Sequence, residues 1–248
     1  MLRVEFGDYY CVRASVWMTA LALIGVLLFA QLGRWQWHRA EEQRALAAAF
    51  LAGTENFATT LGSRSTAELA RYTQVRARGR YDAAHQFLLD NMSHDGQTGY
   101  QVLTPLQLDD GRVLLVNRGW LPLPGGRRDA LPDISLPDLG TINIGGRLDE
   151  LPVNGLAMGR AAPAPGTLWP KRTSFPSIKQ LGAALGQSVE GQQLLLGATE
   201  PQGFARDWKS SGAGFGPERH VAYAFQWWGL GALILFLYFF MNIEPRDA

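Results

Sequence analysis

Two long uncharged apolar runs, one near each end of the chain, decide most of what it can fold into. The first extends from Ala14 to Gly33 and the second from Val221 to Ile243, and neither contains Asp, Glu, Lys or Arg. About twenty helical residues rise about 30 Å, the thickness of a bilayer's hydrocarbon core, so each run can span a membrane. The first is longer than the apolar core of a cleavable signal peptide and offers only Leu28-Phe29-Ala30 as a cut site, so it reads as an uncleaved anchor. In the second, Trp227, Trp228 and Tyr238 stand near the ends of the run, where amphipathic rings favour the interface. Arg3 and Arg13 on one side of the first run, against Arg34, Arg39 and Arg44 on the other, give no positive-inside bias, and charge leaves the orientation open. Glu5 and Asp8 are foreign to an Arg-rich, acid-poor mitochondrial transit peptide, and a bacterial inner membrane fits better.

The expected organisation is an N-terminal tail (1–13), a first span (14–33), one β-rich domain with a helical stalk (34–219), a second span (220–243) and a C-terminal tail (244–248). Lys plus Arg number 23 against Asp plus Glu 22, with no basic run beyond Arg127-Arg128, so the chain builds no field that would attract nucleic acid. The only cysteine, Cys11, precedes the first span and leaves the domain without a thiolate.

Residues Arg34 to Phe50 lack Gly and Pro and extend the first span as a helical stalk. Ser65-Thr66-Ala67-Glu68 resembles a capping box and predicts a short helix from about Thr66. From Tyr72 to Tyr81, Gln74, Arg76, Arg78 and Arg80 alternate with Val75, Ala77 and Gly79, the pattern of a strand wet on one face. Strands are also predicted at His85 to Asp90, Tyr100 to Leu108, Arg112 to Trp120, Thr141 to Leu148 and Gln192 to Leu196. Asp110-Gly111 closes a hairpin, and the unbroken Leu114-Leu115-Val116 marks a central strand covered on both faces. Pro- and Gly-rich stretches from Leu121 to Gly140 and Leu151 to Pro170 read as loops, and Pro176 to Leu185 as a helix. The fold class is therefore a membrane protein in which two transmembrane α-helices flank a mainly antiparallel β (α+β) domain, a small sheet or open barrel.

No Gly-x-Ser-x-Gly elbow, His-Glu-x-x-His pair or Cys-x-x-Cys-His haem attachment is present, so the chain is read as no enzyme. Gly212-Ala213-Gly214-Phe215-Gly216 follows no strand and leads into a span, which makes it a linker rather than a phosphate loop. Arg118, set in an apolar strand, needs a buried partner and is expected in an ion pair that orders the domain. Of the histidines His38, His85, His94 and His220, the last is the most informative. His220, Tyr223 and Trp227 fall at i, i+3 and i+7, one helical face where the second span begins. That face either offers an axial imidazole to a haem iron, with Trp227 against the macrocycle and Arg219 beside a propionate, or is an interfacial aromatic belt. His38 lies on the stalk one turn from Arg34, and a lone helical histidine there is ordinarily solvated.

The chain resembles the surfeit locus protein one family, known in yeast as the Shy-one family, over most of its length. The resemblance is carried by Gly33-Arg34-Trp35-Gln36 and Arg39, then Arg71-Tyr72, Val75, Gly79 and Tyr81-Asp82. Its middle block is Leu89-Asp90-Asn91, Gly99-Tyr100, Pro105-Leu106, Asp110-Gly111 and Val116-Asn117-Arg118-Gly119-Trp120 with Pro122. Gly146-Arg147-Leu148, Trp169-Pro170, Gly203-Phe204, Arg206 and Trp208 continue it, and Arg219-His220, Tyr223-Ala224 and Gln226-Trp227 end it. The resemblance implies an assembly factor for cytochrome c oxidase that works on oxidase subunit one with other assembly factors, through delivery or insertion of haem a. It also implies cytoplasmic termini and a periplasmic domain, and it associates the haem with His220. The alternative is a scaffold that stabilises apo-subunit one without touching haem. His38 matches no position of the family.

Overall fold

The computed structural model describes residues 2–6, 10–55, 58–127, 130–153, 160–166, 168–208 and 216–245. Most of the Gly212–Gly216 linker lies outside them, as do parts of the two Pro- and Gly-rich loops. In chain order the elements are β1 (Leu2–Phe6), β2 (Tyr10–Ala14), α1 (Val16–Glu55), β3 (Thr59–Thr60) and β4 (Gln74–Tyr81). There follow β5 (Phe87–His94), β6 (Gln97–Leu108), β7 (Val113–Pro122), β8 (Ile142–Asp149) and β9 (Lys171–Thr173). The chain ends with α2 (Ile178–Leu185), β10 (Gln193–Leu196), α3 (Pro217–Asn242) and β11 (Ile243–Pro245). The contacts divide these into two units, Met1–Ala47 with Gly214–Ala248, and Ala48–Ala213.

The first unit contains the two apolar helices. Both are long and apolar enough to cross a membrane, and the most apolar windows are only 6% and 11% buried, which leaves their side chains for lipid. The described parts of the tails carry structure that the sequence pattern does not suggest, since β1, β2 and β11 form a small antiparallel sheet.

The second unit is a mixed sheet in the order β3-β4-β8-β10-β7-β6-β5-β9. It closes on itself, because β4 pairs with β8 along one edge and with β6 along the other, through Gly79–Leu108, Arg80–Gln107 and Tyr81–Leu106. Closure satisfies strand edges that an open sheet leaves bare. Gly79 permits it, because a Cβ at that position would collide with the Gln107 carbonyl. Val75, Ala77, Leu106, Leu114, Val116, Ile144, Leu148, Leu194 and Leu196 fill the interior. Arg76, Arg78 and Arg80 alternate outward as expected, the last two against Asp109 and Asp138.

β7 is buried from Val113 to Trp120, with Leu114 and Val116 inside the barrel and Leu115 in a second cluster beneath Leu181 of α2. The unbroken apolar run thus has a physical cause: both faces of the strand are covered. The predicted capping box at Ser65 is instead a one-turn 3-10 helix, Thr66–Glu68, in which Ser65 accepts from Ala67 N. The complete box sits at Ser177 and Gln180, starting α2, which ends on Gly186 in the left-handed region.

Arg118 has a different partner set from the expected ion pair. Its Nε donates to Gln202 O at 2.7 Å, and its Nη1 to Gln86 Oε1 at 3.0 Å and Ile134 O at 3.1 Å, while the guanidinium lies 4.7 Å over the Phe204 ring. All four partners are neutral. Burial pushes its pKa down to about 10, outweighing Tyr81, which acts in the opposite direction.

Candidate functional site

α3 starts where local chemistry dictates: Gly216 is the N-cap, Pro217 occupies the first turn without requiring an amide partner, and Glu218 sits at the positive end of the helix dipole. His220 follows at the end of that first turn. Within the first unit α3 runs antiparallel to α1, as three contacts in descending order show. Thr19 Oγ1 meets Tyr238 Oη at 2.8 Å, Phe29 stacks on Trp227 with centroids 5.6 Å apart and planes at 21°, and Gln36 Oε1 meets His220 Nδ1 at 2.7 Å.

Phe29 and Gln36 are seven residues apart, as are His220 and Trp227, so two turns of one helix lie alongside two turns of the other. Gly33, midway on α1, makes room for Trp228, whose ring a Cβ there would strike. Trp37 closes the cluster, tilted on Trp228 at 5.9 Å and edge-on to Phe225 at 6.4 Å. Within Gly33-Arg34-Trp35-Gln36, then, Gly33 and Gln36 contact α3, whereas Trp35 is exposed.

Of the four residues singled out from the sequence, His220 and Trp227 both face α1, half-buried. Tyr223 lies between them in sequence and is 42% exposed. Arg219 is exposed, about 100° around the helix from His220. His38 lies between Glu41 and Glu42, its Nδ1 3.8 Å from one and its Nε2 3.5 Å from the other.

The Gln36 contact determines which imidazole nitrogen is available. With a carbonyl oxygen at 2.7 Å, Nδ1 carries a proton and donates it. In the neutral ring Nε2 then holds the lone pair, the arrangement in which metal-ligating histidines are oriented by a second-shell acceptor. Gln36 is the site residue missed by sequence reasoning: it stands in the Gly33-Arg34-Trp35-Gln36 block that carries the resemblance, but nothing within one helix pairs it with His220.

A membrane protein with two apolar helices flanking an α+β domain is the class these elements define. The SURF1 family model matches residues 23–232, and the chain belongs to that family. A SURF1-like protein of Dictyostelium discoideum is 43% identical over 49 residues, which is 20% of this chain and 18% of that protein. The match therefore spans about a fifth of that relative's length.

Proposed function

We propose that this chain is a non-enzymatic assembly factor for a haem-copper cytochrome c oxidase, and that it carries haem a on His220 for insertion into oxidase subunit one. Membership of the SURF1 family, a family of cytochrome oxidase assembly factors, supports the assembly role. The haem reading rests on the bond from His220 Nδ1 to Gln36, which leaves the Nε2 lone pair for an iron. Tyr223 supplies an exposed ring on the same face, Trp227 an aromatic wall already fixed by Phe29, and Arg219 a cation for a propionate. A single half-buried ligand suits a carrier that has to release its cargo. In this reading the chain lies in a bacterial inner membrane, with the termini in the cytoplasm and residues 34–219 in the periplasm. A phosphatase fused at Ala248 is then inactive, and activity there refutes the orientation.

The haem test compares wild type with His220→Ala, both purified in detergent from cells that make haem a, by their Soret bands at equal protein. Loss of the band in the variant is expected. Equal haem content with unchanged band positions removes His220 as ligand. A scaffold without haem is favoured by one observation, that His220 and Trp227 both tie α3 to α1; absence of haem from both proteins selects it.

A further inference from the structure

We propose that His94, Asp95 and Asp207, in the second unit, bind one divalent transition cation of zinc's class. His94 ends β5, and Asp95 opens the two-residue Asp95-Gly96 turn into β6, with φ of 47° and 78° at its two positions. Asp207 arrives from far along the chain, two residues past Ala205, whose carbonyl accepts the Trp120 backbone N–H at 2.8 Å. The same Trp120 packs its ring against the His94 imidazole, with centroids 4.9 Å apart, and its Nε1 donates to Met92 O at 3.0 Å. One anchored tryptophan thereby fixes both the imidazole and the segment that brings Asp207 to it.

His94 Nε2 lies 3.6 Å from Asp95 Oδ2 and 3.6 Å from Asp207 Oδ2. That is too long for a hydrogen bond. It is close to the edge, about 3.4 Å, of a tetrahedron of donors around zinc at about 2.1 Å. All three donor atoms lie within 4.8 Å of one another, and the exposed aspartates can close the remainder by small rotations about their side-chain bonds.

A second observation comes from the surroundings. The three residues line a cavity of about 280 Å³ together with the buried carboxylate of Asp149 and the amides of Asn117 and Gln193. No lysine or arginine lines it among the described residues. Arg71 binds Asp149 Oδ1 at 2.6 Å, which neutralises one of the three carboxylates and leaves those of Asp95 and Asp207 facing an imidazole. A polar cavity with a negative field and a mixed nitrogen and oxygen donor set attracts a cation, and imidazole among the donors favours zinc's class over calcium or magnesium. Water fills the fourth position of such a three-ligand site.

The test is isothermal titration of the full chain in detergent with Zn²⁺, alongside Co²⁺ spectroscopy. Wild type is expected to bind one more equivalent than His94→Gln, with visible tetrahedral Co²⁺ absorption that the variant lacks. Asp207→Asn, exposed and isosteric, should lose affinity by about tenfold or more while keeping the wild-type melting temperature of the metal-free protein. His38→Ala should retain the equivalent, since its neighbours Glu41 and Glu42 belong to another cluster. Unchanged stoichiometry and affinity in both His94→Gln and Asp207→Asn, or no Zn²⁺ uptake by wild type, overturns the proposal.

Discussion

Replacing Arg118 by Met and by Ala measures a buried cation that has no carboxylate partner. Arg118 is 2% exposed and its guanidinium makes three hydrogen bonds, each contributing about 1.5–3 kcal/mol when the donor is charged. The low end applies, because two acceptors keep another donor: Gln86 Oε1 still receives Thr104 Oγ1 at 2.7 Å, and Ile134 O still receives Gln86 Nε2 at 3.1 Å. The gross contribution is then about 5 kcal/mol. Desolvation opposes it, and a pKa pushed down to about 10 corresponds to about 3 kcal/mol of penalty on the charged form. Met retains the stem and should cost about 2 kcal/mol; Ala also loses two buried methylenes and should cost about 4 kcal/mol. At roughly 2–4 °C per kcal/mol for a domain of this size, thermal melting separates the two variants. Because the partners are neutral, both deficits should stay constant between about pH 4 and pH 8. A stranded carboxylate would protonate as pH falls, so a deficit that shrinks toward low pH refutes this account and restores the ion pair.

Glu190, 8% exposed, accepts Ser65 Oγ, Thr66 N, Thr66 Oγ1 and Arg112 Nη1 between 2.7 and 2.9 Å. Burial alone would raise its pKa, but these donors outweigh burial and hold it below the ordinary carboxylate value, so it contributes stability above about pH 4.3 that is lost as pH falls through the lower folded value. Glu190→Gln should destabilise by about 2 kcal/mol at neutral pH and converge with wild type in acid melts; parallel curves down to low pH contradict this. The hydroxyl of Tyr100, a residue with no exposed surface, has no hydrogen-bond partner among the described residues, so Tyr100→Phe should raise stability by about 1 kcal/mol, and an unchanged or lower melting temperature contradicts it.

Much of the fold is legible because its signals are local. The alternation of Gln74 to Tyr81 and the unbroken run in β7 each follow from which faces are covered, and Asp110-Gly111 turns β6 into β7 with Gly111 N bonded to Leu108 O at 2.9 Å. What escapes is non-local. Closure of the barrel depends on β4 meeting β6, and nothing in either strand alone specifies that pairing beyond a glycine at position 79. β9 escapes for another reason: it is three residues long and starts with a buried lysine, Lys171, whose Nζ is satisfied by Ala164 O at 2.7 Å and Gly166 O at 2.8 Å. A lysine reads as a surface residue until the carbonyls that hold it are known.

The same division runs through the candidate site. Helical spacing places His220, Tyr223 and Trp227 on one face, because that is a property of a single helix. Which residue orients the imidazole is a property of two helices, and their relative register has no trace in either apolar run. Arg118 and His220 illustrate opposite consequences of that limit. For Arg118 the expected partner was a carboxylate, and the structure supplies carbonyls and an amide; for His220 no partner was expected, and Gln36 supplies one. In both cases a neutral amide-type oxygen takes the proton-bearing nitrogen. At His220 that choice has chemical weight, because an amide oxygen can only accept and never removes the proton, so Nδ1 stays protonated and Nε2 is left as the ring's lone-pair donor.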